Sequence, residues 1–268
     1  MKIAVAQLNS SDSIDANLAL LAENCGVASR GGAAMLFAPE YSLCVSGDPR
    51  TLVKARNHEL LSALSSMALT NGLWLHAGSV QTEMPDGRCA NRSLIFAPDG
   101  ELAAHYDKIH LFEAALDDGE SWREADIYCA GDVLKTVQTP LGLMGLSICY
   151  DLRFPDLYHA YGSVAVDAVA VPSAFTATTG AAHWHVLLRA RAIETQCFVV
   201  AAAQTGTHSD GRQTFGHSLV VDPWGDVLLD MGGEVGVAFC EIDRAAIDRA
   251  RRQVPSLRNR SEFGLATF

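Results

Sequence analysis

Short apolar runs alternate along this chain with longer stretches in which apolar residues recur every three or four positions. Lys2 to Leu8 reads as a buried strand, and Asp15 to Ser29, with Leu18, Leu21 and Cys25 on one face, predicts a helix ending at Gly31-Gly32. A second strand, Ala34 to Ala38, stops at Pro39-Glu40; a helix from Arg56 to Asn71 and a strand from Trp74 to Val80 follow. Strands Ser93 to Ala97 and Leu102 to Tyr106 flank Pro98-Asp99-Gly100, residue types suited to a tight hairpin turn. Phe112 to Asp132 has the weakest periodicity and is rich in acids, as site walls and lids often are.

Beyond it the order repeats. An apolar strand runs from Gly142 into Cys149, and a helix at about Asp156 to Tyr161 leads to a strand from Ala165 to Val171. His183 to Thr195 then reads as a helix, followed by the all-apolar strand Cys197 to Ala203. Strands His217 to Val221 and Val227 to Asp230 surround Pro223-Trp224-Gly225, Val237 to Ile242 is another, and Arg244 to Gln253 is an exposed helix. MKIAVAQL thus parallels LMGLSICY, and AAMLFAPE parallels DAVAVPSA, with a helix between the members of each pair. No linker or low-complexity segment separates the halves, so the pattern predicts one α/β domain over 1–268, two packed mixed sheets flanked by helices, with about 255–268 as a tail.

Composition narrows the function classes. Twenty basic against 31 acidic residues give a net charge of −11, which argues against nucleic-acid or anionic-membrane partners. The seven cysteines are odd in number and irregularly spaced, which suits reduced thiols in a cytoplasmic protein better than disulfides or zinc. The amino-terminal apolar run is too short for a secretory signal, and no stretch is long enough for a membrane helix. No phosphate-binding loop, dinucleotide glycine fingerprint or serine elbow is present. His183-Trp184-His185 lacks zinc-pair spacing, so structural histidines and no metal or other cofactor are expected. Arg189 and Arg191 are expected in surface ion pairs or at a dimer contact.

Three polar residues stand at the ends of apolar strands: Glu40, Lys108 and Cys149. Each has a plain alternative, a solvated glutamate or lysine and a small core thiol. Gly145, in the Cys149 strand, lets another backbone come close. At a strand-to-helix turn the sulfur of Cys149 could protrude into a cleft while the Tyr150 backbone N–H faces a carbonyl oxygen. A nearby ammonium would stabilise the thiolate and a carboxylate could take its proton. Together the three could attack an amide, stabilise the oxyanion and protonate the departing amine.

FAPEY around Glu40, YDKIHLF around Lys108 and SICYDLRFP around Cys149 resemble, in order and spacing, the signatures of the nitrilase superfamily of carbon-nitrogen hydrolases. The resemblance runs from Lys2 to about Asn259. It implies a four-layer αββα sandwich, dimers or higher homo-oligomers joined across helices, a thioester mechanism and no metal. It also implies a second active-site glutamate before the cysteine; Glu124 fits by its distance to Gly131-Asp132, and Glu120 competes. The stretch from PSAFTATTG to GHSLVVDPWG is similar to the branch of deaminated-glutathione amidases and, more distantly, omega-amidases. That implies a small amide substrate bearing a carboxylate. Arg153, with Thr179 assisting, could hold the carboxylate, or Arg153 could bind strand-end carbonyls or Asp151 instead. Phe175 and Tyr41 are candidate pocket walls or core aromatics. The alternatives carried forward are an omega-amidase and a catalytically silent scaffold.

Overall fold

Alternate residues of the first strand, β1 (Lys2–Gln7), serve two different cores, as the two-residue period of a strand requires. Ile3 and Val5 join a cluster that includes Met144, Leu146 and Ala170 of the second half, whereas Ala4 and Ala6 pack with Leu21, Cys25 and Leu64 of helices. The computed structural model describes residues 1–45, 56–115 and 121–267.

The first half continues with α1 (Ile14–Arg30), β2 (Met35–Phe37), α2 (Asn57–Asn71), β3 (Trp74–Glu83), β4 (Cys89–Phe96) and β5 (Leu102–Asp107). A small hairpin, β6 (Glu113–Ala115) and β7 (Ser121–Arg123), and a 3-10 turn over Glu124–Asp126 occupy the acidic stretch. The second half comprises β8 (Thr136–Thr139), β9 (Gly142–Leu146), α3 (Pro155–Ser163), β10 (Ala168–Ala170), α4 (Ala177–Thr195) and β11 (Phe198–Ala201). A hairpin, β12 (Thr205–Thr207) and β13 (Gln213–Phe215), precedes β14 (Leu219–Val221), β15 (Val227–Asp230), β16 (Gly236–Glu241) and α5 (Ala245–Gln253). Beyond α5, residues 254–267 carry no helix or strand.

Two six-stranded sheets result, ordered β16-β1-β2-β3-β4-β5 and β15-β14-β11-β10-β9-β8. In each, three parallel strands form the centre and antiparallel strands complete both flanks. With α1 and α2 on one sheet and α3 and α4 on the other, the fold is the expected four-layer αββα sandwich. Several boundaries differ from expectation. Helix α4 starts at Ala177, because the Thr-Thr-Gly that weakens its helical signal locally is held by packing: Gly180 lies where a Cβ would meet the Phe215 side chain at 2.4 Å. Strand β10 is only three residues long, since Ala165 turns with φ +53°. What Gly145 admits is the Tyr161 ring, 2.9 Å from where a Cβ would stand, rather than another backbone.

Candidate active site

Glu40 follows β2 by way of Pro39, and Gly78 (φ +71°) makes room for the Pro39 carbonyl, which lies 1.8 Å from where a Cβ would be. The Glu40 side chain is 1% exposed, so its carboxylate needs partners. It has them: Lys108 Nζ at 2.9 Å and Asn91 Nδ2 at 2.8 Å donate to Oε1, and the Ala174 N–H donates to Oε2 at 2.8 Å.

Lys108 lies one residue past β5 and is equally buried. Its ammonium bridges Glu40 and Glu124, lying 3.0 Å from Oε1 and 2.9 Å from Oε2 of Glu124. Burial opposes its charge, but the carboxylates of Glu124 and Glu40 together outweigh that penalty and raise its pKa well above the ordinary lysine value. Glu124 is fixed in turn by the Tyr41 hydroxyl at 2.8 Å and the Phe112 N–H at 2.8 Å. Glu120, the competing choice, lies outside the described residues.

Cys149 opens a 3-10 turn (Cys149–Arg153) at the end of β9 with φ +45°, a left-handed conformation costly for a residue with a Cβ. Its N–H donates to the Pro172 carbonyl at 3.0 Å and the Asp151 N–H to the Ile148 carbonyl at 3.0 Å. Between them the Tyr150 N–H stands at the start of the turn, where the first amides have no intrahelical acceptor. Burial, and after it the Glu40 carboxylate, raise the Cys149 thiol pKa well above the usual range against the opposing pull of Lys108. The ammonium and the carboxylate expected beside the sulfur thus pull its proton affinity in opposite directions, and burial adds to the side of the carboxylate.

These residues line one cleft enclosing about 480 Å³ including its open mouth. Tyr41, Tyr150, Arg153, Phe175 and Thr179 also line it. Arg153 does not bind Asp151 or strand-end carbonyls; its Nη1 meets His183 Nδ1 at 3.1 Å and its guanidinium lies 4.9 Å from the Phe175 ring centre. It has no ion-pair partner among the described residues. Thr179 shares a hydrogen bond of 2.7 Å with Thr176. Tyr41 is more than a wall, because its hydroxyl orients Glu124.

Sequence reasoning missed several supports. Asp151, fully buried, accepts from the Ile148 N–H (2.9 Å), Tyr106 hydroxyl (2.7 Å), His110 N–H (2.9 Å) and His110 Nδ1 (2.7 Å), tying the cysteine turn to the strand that carries Lys108. Arg191 makes the expected ion pair, with Glu194, but not at the surface: it is 5% exposed and also donates through Nε (3.0 Å) and Nη2 (2.8 Å) to the Leu152 carbonyl, holding the same turn from behind. Arg189 donates to the Gly225 carbonyl at 2.7 Å. Of the His-Trp-His triplet, His183 meets Arg153, and His185 joins His217 and Asp230 in a cluster whose donor atoms lie within 4.8 Å of one another. Only partners far along the chain reveal such roles.

A sandwich of two mixed sheets that brings a thiol, an ammonium and two carboxylates together at strand ends is the architecture of a thiol-dependent amide hydrolase. The family model for carbon-nitrogen hydrolase matches residues 2–252, and the chain belongs to that family. It is 36% identical over 264 residues to the deaminated glutathione amidase of Yersinia enterocolitica, covering 96% of this chain and 92% of that protein. It is 38% identical over 266 residues to the protein of the same name from Bos taurus, covering 96% and 81%. Among solved structures, the NitFhit protein of Caenorhabditis elegans superposes with a TM-score of 0.91 at 37% identity, over 97% of this chain and 64% of that longer chain. Nit3 of Saccharomyces cerevisiae, a nitrilase-superfamily member, gives 0.83 at 27% identity over 95% and 94%. None of the described helices is long and apolar enough to cross a membrane.

Proposed function

We propose that this carbon-nitrogen hydrolase cleaves deaminated glutathione to 2-oxoglutarate and cysteinylglycine through a thioester on Cys149. One observation carries the reading: a buried thiol, a buried carboxylate and a buried ammonium share one cleft with Arg153, a guanidinium without a carboxylate partner among the described residues. The names of the similar bacterial and bovine proteins support the choice of substrate.

Glu40 takes the thiol proton as sulfur attacks the amide carbon, and the carbonyl electron pair moves onto oxygen. The Lys108 ammonium and the Tyr150 N–H stabilise that oxyanion. As the carbonyl re-forms, the C–N bond breaks and the amine leaves with the proton from Glu40. Glu40 then takes a proton from water, which attacks the thioester; when the C–S bond breaks, the proton returns to sulfur. Glu124 holds Lys108 in place throughout. Arg153 and Thr179 take the carboxylate of the acyl group, with Phe175 as the wall beside it.

Intact-protein mass spectrometry after brief mixing with deaminated glutathione, on the wild type and Glu40→Gln, tests this. The expected result is a 2-oxoglutaryl adduct on Cys149; no adduct on either protein and no product overturns it. A clear preference for the primary amide 2-oxoglutaramate would assign the chain to omega-amidase chemistry instead. We also propose a homodimer joined across α3 and α4, since Val164 (57% exposed), Val186 (68%) and Ile193 (49%) present apolar surface there. Light scattering that returns a monomer at micromolar concentration would refute the dimer. The cytosol is proposed as its compartment on the seven free cysteines, and fractionation checks that.

A further inference from the structure

The cleft is lined by a second guanidinium, Arg212, which contacts among the lining residues link to Arg153 in two directions. Along one arc, Arg153 lies 5.9 Å from the Tyr150 ring centre, Tyr150 meets Phe112 edge-on at 5.0 Å, Phe112 lies 6.2 Å from Trp122, and Arg212 sits 4.7 Å from the Trp122 centre. Along the other, Arg153 stacks on Phe175, the next residue Thr176 pairs with Thr214, and Thr214 lies two residues beyond Arg212. Arg153 and Arg212 therefore occupy two sides of one closed ring.

Past Arg212 lies a second cleft of about 490 Å³ that shares Tyr41, Trp122, Glu124 and Arg212 with the first and adds Gln81 and Arg123 of its own. Glu124, Trp122 and Arg212 line both clefts, so with the acyl carboxylate at Arg153 as proposed above, the amine side of an amide at Cys149 is left to Arg212 and Trp122. Arg212 Nε donates to Asp210 Oδ2 at 2.9 Å and Nη2 lies 2.8 Å from the same oxygen in an ion pair, which fixes the guanidinium over Trp122. Its Nη1 edge has no acceptor among the described residues.

We propose that Arg212 and Trp122 form a leaving-group subsite for an amine that carries its own carboxylate, a peptide-like carboxyl terminus. The subsite rests on the amidase reading above and deepens it: the enzyme recognises an amide with an anion at each end. Trp122 supplies a flat wall for the intervening chain, and the free edge of the guanidinium supplies the carboxylate donor.

The test compares three amides of one acyl group: the primary amide, the cysteinylglycine amide and its counterpart with an amidated carboxyl terminus. The wild type should favour the free carboxylate over the amidated form by about tenfold or more in kcat/KM, through KM, the factor a charged hydrogen bond supplies. Arg212→Gln should collapse that ratio toward one, and Arg212→Lys, which keeps the charge without the fork, should retain part of it and reads the same ratio should the first variant fold poorly. Equal losses on all three substrates, or no preference in the wild type, overturn the subsite. A wild type that cleaves only the primary amide removes the subsite and leaves the acyl half of the reading intact; one that cleaves none removes both.

Discussion

The two halves of the molecule are built to one plan, and the difference between their corresponding strand ends is where the chemistry lies. Ala4 pairs with Leu36 in the first half as Leu146 pairs with Ala170 in the second. Counting onward in register, Cys149 stands where the first half has Gln7, and Glu40 stands where the second half has Ala174. Gln7 is fully buried, and its amide donates to the Gly232 (2.8 Å) and Glu234 (2.9 Å) carbonyls and accepts from the Ser218 N–H at 2.7 Å. Ala174 gives its backbone N–H to Glu40. One set of ends thus carries the thiol and the carboxylate of the proposed reaction, and the related set uses the same positions to tie the halves together. A duplicated scaffold needs only one copy of each position to be reactive, and the other is free to support it.

The sharpest test of that contrast is a pair of substitutions at matched positions. Cys149→Ala should lower turnover by roughly 10⁴-fold or more while leaving the thermal midpoint near that of the wild type. Gln7→Ala should do the reverse. It leaves the buried Ser218 N–H without its acceptor, at about 1–3 kcal/mol for an unsatisfied group, and the folded fraction should keep most of its activity. A Gln7 variant that is stable but inactive would break the comparison. Next in size, Glu40→Gln should slow turnover by about 10²–10⁴-fold, the usual worth of a general base. Because the Glu40 carboxylate disfavours the thiolate, the same change should move the pH midpoint of Cys149 alkylation downward. An upward or absent shift would show that burial alone keeps the thiol protonated.

Matched positions of the two halves also differ in what they can titrate. His76 of β3 pairs with Phe37, and its register mate in the second half is Ala201, which carries nothing titratable. His76 is 1% exposed; its Nδ1 accepts from the Gly78 N–H at 3.1 Å, and burial lowers its pKa to about 4. A histidine that is neutral when folded and free to charge when unfolded gives its full stability above its unfolded pKa, near 6.5. That stability is lost as pH falls toward the folded value, at most about 3 kcal/mol in all. Denaturant titrations from pH 7 to 4 should show this slope, and His76→Gln should flatten it; an unchanged slope would place the acid-sensitive group elsewhere.

Legibility followed sequence distance. The strand ends at Glu40, Lys108 and Cys149 could be read because each ends a local apolar run, and the repeat of order could be read from MKIAVAQL against LMGLSICY. Asp151, Asn91 and Arg191 could not, since each acts through a partner 39 to 51 residues away that only the packed sheets bring near. The antiparallel pairing of Glu113–Ala115 with Ser121–Arg123 escaped detection because these strands are three residues each, too short to display a period. The proton held by Cys149 was equally hidden: sequence places an ammonium and a carboxylate nearby, and only burial and distance decide which one dominates.

The smallest of these effects tests the comparison one position further along. Tyr41 follows Glu40 as Phe175 follows Ala174, so Tyr41→Phe gives the first half the ring of the second. The two rings serve different ends: Phe175 faces the Arg153 guanidinium, whereas the Tyr41 hydroxyl donates to Glu124 Oε1 at 2.8 Å. Without that hydroxyl Glu124 keeps Lys108 and the Phe112 N–H, so it should stay in place with more freedom. A net hydrogen bond is worth about 1 kcal/mol, which predicts a loss of roughly fivefold, expressed in kcat on the proposed role of Lys108 at the oxyanion rather than at the bound amide. A hundredfold loss would mean that the hydroxyl itself meets the reacting atoms, and no loss would mean that the other two contacts suffice to hold Glu124. A change confined to KM would move Glu124 from supporting the oxyanion to binding the amide.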